Sequence, residues 1–562
     1  MLRCRRLAAF PLVLLLAALG CAPPQNPQGA QRAGQPPGAA SHTKITAAIV
    51  ADPFTLSATM NTASTGGQPG VEEMQRLIHV GLMARDDKLA LQPVLGETVP
   101  TVENGLWKVL PDGRMELTHR IKPNARWHDG TPLTSADLLF TAQVGQDRDL
   151  PLFRSRAYDA LEAVEAPDPT TVVVRWREPY IWADSMFSPA LAMPLPRHLL
   201  EQAFAGEKAQ FVDLPYWTEG FVGTGPFKVQ EWARGSHIVL RANDAYALGR
   251  PRVDEVEVRF IPDSNALIAN VLAGTVELTM GRGLSVDSGA EMRDQYKDGQ
   301  VALELENWVA LYPQSLTPNP AIIANAEFRR ALLYGIDRQE MAQSIQHGLV
   351  PVADAIFSPN DPVYRDIESA IVRYEHDPRR AIEMIGRLGV ARAADGSFAL
   401  PSLEIRAAGT AGDSSNKGML VIADYWKRIG LATETTQIPN QRRRDVEYRA
   451  TFPAFTIQRQ PNGEEGMLRY HSREAAVPEN NWFGDNKARY VNAEMDGMLE
   501  RYFVTIGQAE RAQIGRQIVQ HMTTQVVPLP LFYDANAVVL GKRLNNVIPA
   551  QVGWNAHEWT AQ

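Results

Sequence analysis

The stretch that decides the fold is residues 120–141, RIKPNARWHDGTPLTSADLLFT. From residue 115 to 122, which leads into this stretch, apolar or aromatic residues alternate with polar ones, a period typical of a strand with one buried face. Asp129-Gly130 then forms a typical turn pair, because Asp bonds its own backbone and Gly adopts positive φ without steric cost. The pattern predicts a strand that ends near Pro123, followed by a turn.

The same stretch carries a helix start. Thr134 can cap a helix, and Asp137 three residues later completes a capping box ahead of the apolar run 138–140. Because cap and turn chemistry accounts for each polar residue here, we predict a structural role for His128 and Asp129 and no catalytic centre.

Length and composition are those of an ordinary globular protein. A chain of 562 residues is too long for one hydrophobic core and predicts two or three domains or lobes. Apolar residues make up 45% and charged residues 21%, which is usual for soluble domains. The formal charge of -8 gives no basic field for DNA or RNA, so we expect no nucleic-acid partner.

The first twenty residues have the pattern of an export signal. Three arginines precede the apolar stretch 7–19, which is too short to span a bilayer comfortably. The segment LAALGC, which ends at Cys21, resembles a bacterial lipobox, and this implies removal of residues 1–20 and acylation of Cys21. Ordinary cleavage nearby is the alternative.

Residues 21–41 are rich in Pro, Gly and Gln and contain no large apolar residue, so we predict a lipid-anchored disordered tether. Cys4 and Cys21 are the two cysteines of the sequence, and neither leaves a free thiol in a lipidated mature protein. No disulfide is therefore expected, although an exported protein could form one. The predicted location is the periplasm or the cell surface, with membrane contact through the lipid alone.

Strand and helix patterns interleave along the rest of the chain, which predicts mixed α/β lobes. The segments 171–176 and 255–260 read as strands. Helical spacing of apolar residues, together with cap residues, predicts several helices. These are 328–336, 338–348, 378–389, 418–430, 493–505 and 509–526.

The sequence lacks the common catalytic and metal-binding motifs. It contains no G-x-S-x-G, H-E-x-x-H, G-x-x-x-x-G-K-[ST] or C-x-x-C. GTGPF at 223–227 has the glycine spacing of a phosphate loop but lacks the Lys-Ser/Thr. The histidines are dispersed, with no pair at helical ligand spacing. We therefore predict no catalytic residue, no metal site and no cofactor, and we expect a protein that is not an enzyme.

Five segments, in order along the chain, resemble the family 5 extracellular solute-binding proteins of ABC transporters. They are 120–141, MPLPRHLLE (193–201), 222–258, LIANVLAGTVELT (267–279) and NAEFRRALLYGIDRQEM (325–341). The resemblance runs from about residue 44 to the C-terminus. It points to the peptide, nickel-chelate and oligosaccharide group.

The resemblance implies an α/β fold with two lobes around a cleft. This is the periplasmic-binding-protein fold of the large peptide-binding type, with an extra domain inserted in the first lobe. The implied bounds are 42–88, 215–300 and 528–562 for the first lobe, 89–214 for the inserted domain and 301–527 for the second lobe. The chain would cross between the lobes near 303–312 and 526–531, and these crossings would form the hinge. A ligand that contacts both lobes would stabilise the closed form.

The implied cleft segments supply the candidate ligand-binding residues. These are aromatic side chains that could form the walls of the cleft and polar side chains that could point at the ligand. They are Asn61, Thr62, Ser64, Trp308, Gln458, Arg459, Gln460, Asn462, Asn481, Trp482 and Tyr533. The alternative is that the aromatic residues belong to the core and the polar ones to solvated loops.

The charge of one cleft segment bears on the ligand. In peptide-binding relatives the segment that corresponds to 458–466 commonly offers an acidic residue, whereas this chain has Arg459 there and no acid before Glu464. We therefore expect a ligand that is neutral or anionic at this segment, and weak binding of ordinary dipeptides. If the correspondence is displaced, Glu464 or Glu465 takes the acidic position.

The resemblance implies a lipid-anchored receptor that captures a solute, with a peptide as first choice, and delivers it to an ABC permease and ATPase. Alternatives within the fold are a metal chelate, an oligosaccharide or another organic ligand. A surface sensor without transport and an exported hydrolase are alternatives of other classes. We expect a monomer.

Overall fold

The computed structural model describes residues 42–62, 68–154, 156–189, 191–408 and 413–562. The predicted signal peptide, the tether with Cys21, and Ser64 lie outside the described residues. The predictions for them are therefore not tested by the structure.

Strands and helices interleave along the chain, as the sequence pattern predicts. In chain order the strands are β1 Lys44–Ile49, β2 Met83–Arg85, β3 Leu91–Pro93, β4 Trp107–Val109, β5 Met115–Arg120, β6 Leu161–Asp168, β7 Thr171–Trp176, β8 Phe227–Ala233, β9 His237–Ala242, β10 Glu255–Phe260, β11 Leu278–Thr279, β12 Leu284–Ser285, β13 Gly299–Pro313, β14 Leu403–Ala407, β15 Thr433–Gln437, β16 Phe455–Pro461, β17 Leu529–Gly541, β18 Leu544–Asn545 and β19 Thr560–Ala561. The predicted strands 171–176 and 255–260 are β7 and β10.

The helices include all those predicted. In chain order they are α1 Ala58–Thr62, α2 Val71–Ile78, α3 Ser135–Gln146, α4 Arg197–Phe204, α5 Lys208–Phe211, α6 Ser264–Leu272, α7 Val286–Gln295, α8 Ala326–Tyr334, α9 Arg338–Ile345, α10 Tyr364–Ile367, α11 Pro378–Arg387, α12 Ser414–Arg428, α13 Val446–Ala450, α14 Glu464–Met467, α15 Ala493–Val504 and α16 Gln508–Gln525. α12 begins earlier than the predicted residue 418, because the Asp413 carboxylate accepts a hydrogen bond from the Ser415 N–H and caps the helix.

One mixed sheet organises the molecule. Within the described residues, eleven strands form it in the order β15-β14-β16-β13-β17-β11-β1-β10-β9-β8, with β12 beside β17. The long strands β13 and β17 lie antiparallel in its middle, with Gly299 opposite Gly541 at one end and Leu311 opposite Leu529 at the other. They run through both halves of the sheet. We call the half with β1 and β8–β11 the first lobe and the half with β14–β16 the second lobe.

The parallel strands of both lobes end toward the middle of the sheet. β1 is parallel to β10 and β11, and β14 is parallel to β15 and β16. In β11, Leu278 pairs with Leu540, and the next residue, Thr279, accepts a hydrogen bond from the Val539 N–H. β16 begins opposite Pro313, at the far end of β13, and ends opposite Asn307. The carboxyl ends of the two strand sets therefore face each other across β13 and β17.

Each lobe has its own hydrophobic core. The core of the first lobe includes residues of β1, β10 and α2, and that of the second includes residues of α8, α11 and α12. β17 contributes Val538 and Leu540 to the first core and Leu531 and Phe532 to the second. The stretch of β17 between these pairs thus crosses from one core to the other.

A separate antiparallel sheet has the order β4-β5-β7-β6 and a hydrophobic core that includes Leu117 and Trp176. β5 is the strand predicted upstream of the turn, and its residues alternate in burial. The bounds 89–214 for an inserted domain stay a prediction.

The opening stretch folds into strand, turn and capped helix as predicted. Gly130 has a φ of 92°, and the Asp129 carboxylate accepts a hydrogen bond from the Thr131 N–H at 2.9 Å, which closes the turn. At the start of α3, the Asp137 carboxylate accepts from the Thr134 N–H at 2.8 Å and from the Thr134 hydroxyl at 3.2 Å. The predicted pairing of Thr134 with Asp137 is confirmed.

His128 packs against the GTGPF loop. Its Nδ1 accepts a hydrogen bond from the Gly223 N–H at 3.2 Å, and its Nε2 lies 3.1 Å from the Gly225 carbonyl oxygen. Burial lowers the pKa of His128 to about 3, so the ring is neutral. The loop that resembled a phosphate loop therefore binds a histidine side chain and joins two parts of the scaffold.

Candidate ligand-binding cleft

The sheet topology defines where a ligand can bind. In open α/β sheets, ligands bind outside the carboxyl ends of the parallel strands. Here the chain leaves β1, β10 and β11 of the first lobe and β14 and β16 of the second lobe at edges that face each other. The middle of β13 and β17 lies between those edges and forms the floor of the candidate cleft.

A polar cluster occupies this floor. The Arg459 guanidinium of β16 forms an ion pair with the Asp534 carboxylate of β17, and its Nη2 donates to the Asn536 side-chain oxygen at 3.0 Å. Asp534 also accepts from the Gln346 side-chain nitrogen at 2.8 Å and from the Ser414 hydroxyl at 3.0 Å. We call these five residues the floor cluster. It joins two strands with the residue after α9 and the first residue of α12.

Burial of the floor cluster is uneven. Gln346 is fully buried and Asp534 is 6% exposed, whereas the Arg459 side chain is 26% exposed. A buried carboxylate is stable only when it is paired and hydrogen-bonded, and Asp534 has both kinds of partner. Arg459 is thus a member of the cluster that a solute can reach.

The sequence predicts a lone arginine in the segment 458–466, whereas in the structure this arginine forms an ion pair. Arg459 and Phe532 are both in register with Val309 of the intervening β13, so the side chain extends toward β17 across one strand. Its partner Asp534 is far along the chain from this segment, so local sequence patterns gave no sign of the pair. The charge of Arg459 is balanced within the protein.

The neighbouring glutamines point to the opposite face, because successive side chains of a strand alternate. Gln458 is in register with Ala310, and Gln460 is in register with Trp308. The Gln460 side-chain nitrogen donates to the Gln458 side-chain oxygen at 3.1 Å. Of the predicted site residues, the structure thus brings Arg459 to one face of β16 and the two glutamines to the other.

Trp308 and Tyr533 belong to a hydrophobic core of the second lobe. Each is 2% exposed, and the two are in register on β13 and β17. The Tyr533 hydroxyl donates to the carbonyl oxygens of Ala355 and Phe357. Their surroundings match the alternative in which the aromatic candidates serve the core.

The remaining predicted residues lie in loops or at element ends. The Asn61 side chain closes the turn before α1 through hydrogen bonds to Thr55 and to the Phe54 N–H, and Thr62 is the last residue of α1. The Asn462 side chain donates to the Leu305 carbonyl at 3.4 Å beside the floor. Two further candidates form a turn of positive φ, namely Asn481 at 53° and Trp482 at 64°.

Sequence reasoning missed most of the floor cluster. Asp534 and Asn536 alternate along β17, all of whose residues from Leu529 to Gly541 are buried. Two polar side chains on one face of a wholly buried strand are a signal of a polar site, since buried polar groups need partners. Gln346 and Ser414 gave no comparable signal.

The lobes contact each other beside the floor. The Asp287 carboxylate of α7 accepts from the Lys417 ammonium of α12 at 2.6 Å and lies 2.8 Å from His347 Nε2. Farther away, the rings of Trp182 and Phe503 lie 5.3 Å apart between their centroids. These contacts join elements that flank the cleft on opposite sides.

Near the second contact, partly buried carboxyl groups have raised pKa values. Burial raises the pKa of Asp184 to about 6, against the opposing attraction of Arg85 and Arg511. Burial likewise raises the pKa of Asp361 to about 6, again opposed by Arg85. Both groups therefore titrate well above the ordinary range of an aspartate.

In the described ranges, no group of three or more His, Cys, Asp or Glu side chains is placed to hold a metal ion. Among the helices of those same ranges, none has the length and apolar character needed to cross a membrane.

The chain matches a known protein family over more than half its length. The sequence profile of the bacterial extracellular solute-binding proteins, family 5 middle part, matches residues 97–471. The oligopeptide-binding protein AppA of Bacillus subtilis is 25% identical over 320 residues, 56% of this chain and 55% of that protein. The heme-binding protein A of Haemophilus influenzae is 21% identical over 490 residues, 83% of each chain. A Brucella ovis protein named as an ABC transporter peptide-binding protein is 27% identical over 310 residues, and the chain spans 54% of its length.

Solved structures share the fold over almost the whole chain. AppA of Bacillus subtilis, in complex with a nonapeptide, has a TM-score of 0.65 at 20% identity and covers 93% of this chain and 99% of its own. NikZ of Campylobacter jejuni, in complex with Ni(L-His), has a TM-score of 0.69 at 18% identity and covers 92% and 99%. The two-lobed periplasmic-binding-protein fold is confirmed. The chain belongs to the bacterial extracellular solute-binding proteins of family 5.

Proposed function

We propose that this chain is the extracytoplasmic receptor of an ABC importer and that it captures a peptide or a similar organic solute between its lobes. The observation that carries the proposal is the floor cluster, where buried polar groups lie between two cores in a member of a solute-binding family. Capture and release need no covalent step, so the proposed protein is not an enzyme. The names of AppA and of the Brucella ovis relative make a peptide the first choice of solute.

The proposed lobes follow the predicted bounds. The first lobe combines 42–88, 215–300 and 528–562, carries 89–214 as an inserted domain, and faces a second lobe of 301–527. The passage of β13 and β17 through both halves of the sheet supports crossings near 303–312 and 526–531. We propose that the lobes close on the solute by bending at these strands, since a ligand that contacts both lobes stabilises the closed form.

The charge of the floor suits a peptide better than a lone arginine would. Arg459 is neutralised by Asp534, so the ammonium group of a peptide meets no net positive charge there. The partly exposed guanidinium still offers hydrogen bonds to a peptide carboxylate or carbonyl. This removes the main physical reason for expecting dipeptides to bind weakly.

A metal chelate is the second candidate. NikZ binds Ni(L-His), and NikA of Brucella suis, with a TM-score of 0.72 at 17% identity and coverage of 92% of this chain and 100% of its own, binds Fe(III)-EDTA. The exposed edge of Arg459 favours the carboxylates of such a chelate. Asn462, whose side chain donates to the Leu305 carbonyl beside the floor, joins Arg459 in the proposed ligand-contacting set.

Native mass spectrometry tests the proposal. Protein purified from its own host should carry one organic molecule per chain, with a mass that identifies a peptide or a chelate. Arg459→Ala should weaken binding of that molecule by about 2–5 kcal/mol if the guanidinium pairs with a carboxylate of the solute. Arg428→Ala is the control, because Arg428 lies on α12 with 63% of its side chain exposed. Equal losses in both variants, or rapid turnover of the bound molecule, would overturn the proposal.

We also propose that acylated Cys21 anchors the protein to the membrane. The proposed receptor is a monomer, and its partners are an ABC permease and an ATPase. The apolar stretch before Cys21 supports an exported lipoprotein. Cys21→Ala should move the protein from the membrane fraction to the soluble fraction, since stable attachment depends on the acyl chains. A variant that stays in the membrane fraction would contradict the anchor without touching the solute-binding proposal.

A further inference from the structure

A buried arginine lies at the end of the second lobe that is away from the floor of the cleft. The Ala488 carbonyl oxygen accepts a hydrogen bond from the Ser315 N–H at 3.0 Å, just beyond the end of β13. That end of β13 pairs with the first residue of β16, whereas the floor cluster lies further along β16. The next residue, Arg489, is 5% exposed. Arg489 is therefore buried outside the candidate cleft.

The guanidinium of Arg489 has no partner in the protein. Within the described residues it makes no side-chain hydrogen bond and no ion pair. Its Nε is enclosed, whereas Nη1 and Nη2 are not, so the end of the guanidinium opens to the surface. Burial lowers the pKa of Arg489, and no carboxylate of the described chain raises it again. Because a buried charge without a partner is costly, the guanidinium needs an acceptor from outside the chain.

The other buried arginines show how this chain normally satisfies such a group. Arg329 is 4% exposed and Arg338 is 7% exposed. The guanidinium groups of both donate to main-chain carbonyl oxygens, and Arg338 also pairs with the Asp354 carboxylate at 3.0 Å. Arg489 differs from them in that its acceptors are missing from the described part of the chain.

The acidic residues that precede and follow Arg489 in sequence are engaged with other cations. The Asp485 carboxylate accepts from the Lys487 ammonium at 3.2 Å and lies 2.9 Å from Arg469 Nη1. The Glu494 carboxylate lies 3.6 Å from His521 Nδ1 and is 74% exposed. Neither carboxylate is paired with Arg489, so the electrostatic surroundings favour an added anion.

Apolar side chains adjoin the open end of the guanidinium. The Trp482 ring centroid lies 5.4 Å from the Arg489 guanidinium carbon, within the range of a cation–π contact. Phe483 is 69% exposed and Val491 is 55% exposed, and both are large apolar residues next to this pair in sequence. Trp482, a predicted cleft residue, thus lies beside Arg489 and away from the floor.

The fold itself gains nothing from the charge of Arg489. Its φ of 49° lies in the left-handed region, which favours glycine over a long side chain. The side chain adds an unpaired buried charge to this unfavourable backbone conformation. Packing of the chain therefore accounts for neither the residue type nor its placement.

We propose that Arg489 forms a second ligand site, on the second lobe and outside the cleft, which binds a small carboxylate with an apolar body. The edge that carries Nη1 and Nη2 matches the two oxygens of a carboxylate. One unpaired positive charge balances a monoanion, whereas a doubly charged phosphate would keep one negative charge uncompensated. The ligand is small because only the end of the guanidinium is open. The site is independent of the solute captured in the cleft.

Benzoate and benzamide are the probes, because they match in size and shape and differ in charge. Ligand-observed NMR titration of the protein should give saturable one-to-one binding of benzoate and much weaker binding of benzamide. Arg489→Met should lower the affinity for benzoate by roughly tenfold or more, because it removes two charge-assisted hydrogen bonds and keeps an apolar side chain of similar length. Arg473→Met is the matched control, since Arg473 lies in the same lobe with 53% of its side chain exposed, and it should leave benzoate binding unchanged.

Thermal melting gives a second, independent readout. Without benzoate, Arg489→Met should melt at a higher temperature than the wild type, because the unpaired buried charge is gone. Benzoate should raise the melting temperature of the wild type and not that of Arg489→Met, since only a ligand that binds the native state stabilises it.

Four outcomes would overturn the proposal. The first two are no saturable binding of benzoate and equal binding of benzamide. The third is loss of benzoate binding in Arg459→Met with normal binding in Arg489→Met, which would place the probe in the cleft. The fourth is an Arg489→Met protein that melts at a lower temperature or does not fold, because the guanidinium would then stabilise the fold.

Discussion

Asp534 holds the floor of the cleft together. Its carboxylate contacts three side chains, which come from β16, from the residue after α9 and from the start of α12, and it is 6% exposed. Removing one partner of a buried ion pair leaves an unpaired charge, which costs more than the pair itself contributes. Loss of Asp534 should therefore destabilise the protein more than loss of Arg459, whose side chain is partly exposed to water.

We predict that Asp534→Asn lowers the free energy of unfolding by about 1–3 kcal/mol. The value lies below the range for fully buried pairs because water screens the partly exposed Arg459. Denaturant unfolding gives the change. Asp298→Asn is the control, because its ion pair with Lys542 is exposed on both sides, and it should change stability by less than about 0.5 kcal/mol. Equal effects of the two substitutions would show that the ion pair on the floor contributes no more to stability than an exposed ion pair does.

His119 presents the opposite case. It is fully buried in β5 beside Phe187, and neither of its ring nitrogens has a hydrogen-bond partner within the described residues. Burial lowers the pKa of His119 to about 4. An unpaired buried imidazole costs free energy at neutral pH, and the cost of protonating it is added in acid.

We predict that His119→Leu raises the free energy of unfolding by about 1–3 kcal/mol at pH 7. The native pKa of about 4 lies below the ordinary value of 6.5, so the unfolded chain binds more protons between these values and wild-type stability falls as pH falls. The advantage of the variant should therefore grow from pH 6.5 to pH 4. His128→Leu should act in the opposite direction at pH 7, because both His128 nitrogens are bonded. A loss of stability in His119→Leu would contradict this account.

These residues separate what the sequence could predict from what it could not. Thr134 and Asp137 are three positions apart, and their pairing follows from spacing alone. Arg459 and Asp534 meet because three strands pair in one register, and no local pattern contains that information. Trp308 and Tyr533 are aromatic, and aromatic character does not distinguish a cleft wall from a core, because both contain such residues.

At the scale of the element, hydrogen bonds connect the start of α3 to the segment that leads into α4. One Asp137 carboxylate oxygen accepts from the Thr134 N–H and hydroxyl, and the other accepts from the Arg197 N–H at 2.9 Å, where α4 begins. The Thr141 hydroxyl, one turn later, accepts from the Leu195 N–H at 2.8 Å. The cap thus aligns α3 with the chain that leads into α4.

We predict that Thr134→Ala lowers the free energy of unfolding by about 0.5–2 kcal/mol and leaves solute affinity unchanged, because the cap lies in the scaffold. Thermal melting and titration with the solute identified by mass spectrometry give the two values. A normal melting curve together with lost binding would mean that this stretch is a ligand site.

The short helical turn at Ala183–Ser185 carries a pH-dependent contribution to stability. The native pKa of Asp184 is about 6, above its ordinary value of 3.8, so the native state binds the extra proton between these values. Stability should therefore decrease as pH rises from about 4 to 6.

Asp184→Asn removes the titrating group. We predict that the variant is more stable than the wild type by about 1–2 kcal/mol at pH 7, where the wild-type carboxylate is charged. The difference should shrink toward pH 4, where the wild-type group is protonated in the native state. Chemical unfolding across this range gives the comparison. A difference that does not vary with pH would contradict the assigned cause.

At the scale of the whole molecule, the sequence predicted the architecture because several ordered segments carry the family pattern along the chain. The fold class and the order of helices and strands are confirmed. The contacts that join the lobes could not be predicted in this way. Asp287, Lys417 and His347 come together because the two halves of the sheet face each other. Such contacts depend on tertiary geometry and leave no mark in local sequence.

The central claim is that a solute binds between the lobes and closes them. Leu272, at the end of α6 away from the middle of the sheet, is 40% exposed, and Leu420 on α12 of the second lobe is 59% exposed. Spin labels on cysteines at these positions, in a chain with Cys4 and Cys21 replaced by serine, report the distance between the lobes by double electron–electron resonance. With the solute recovered from host-purified protein, the account predicts a narrow distribution at a shorter distance, and after removal of the solute a broader one at longer distances. Identical distributions in the two states would contradict it.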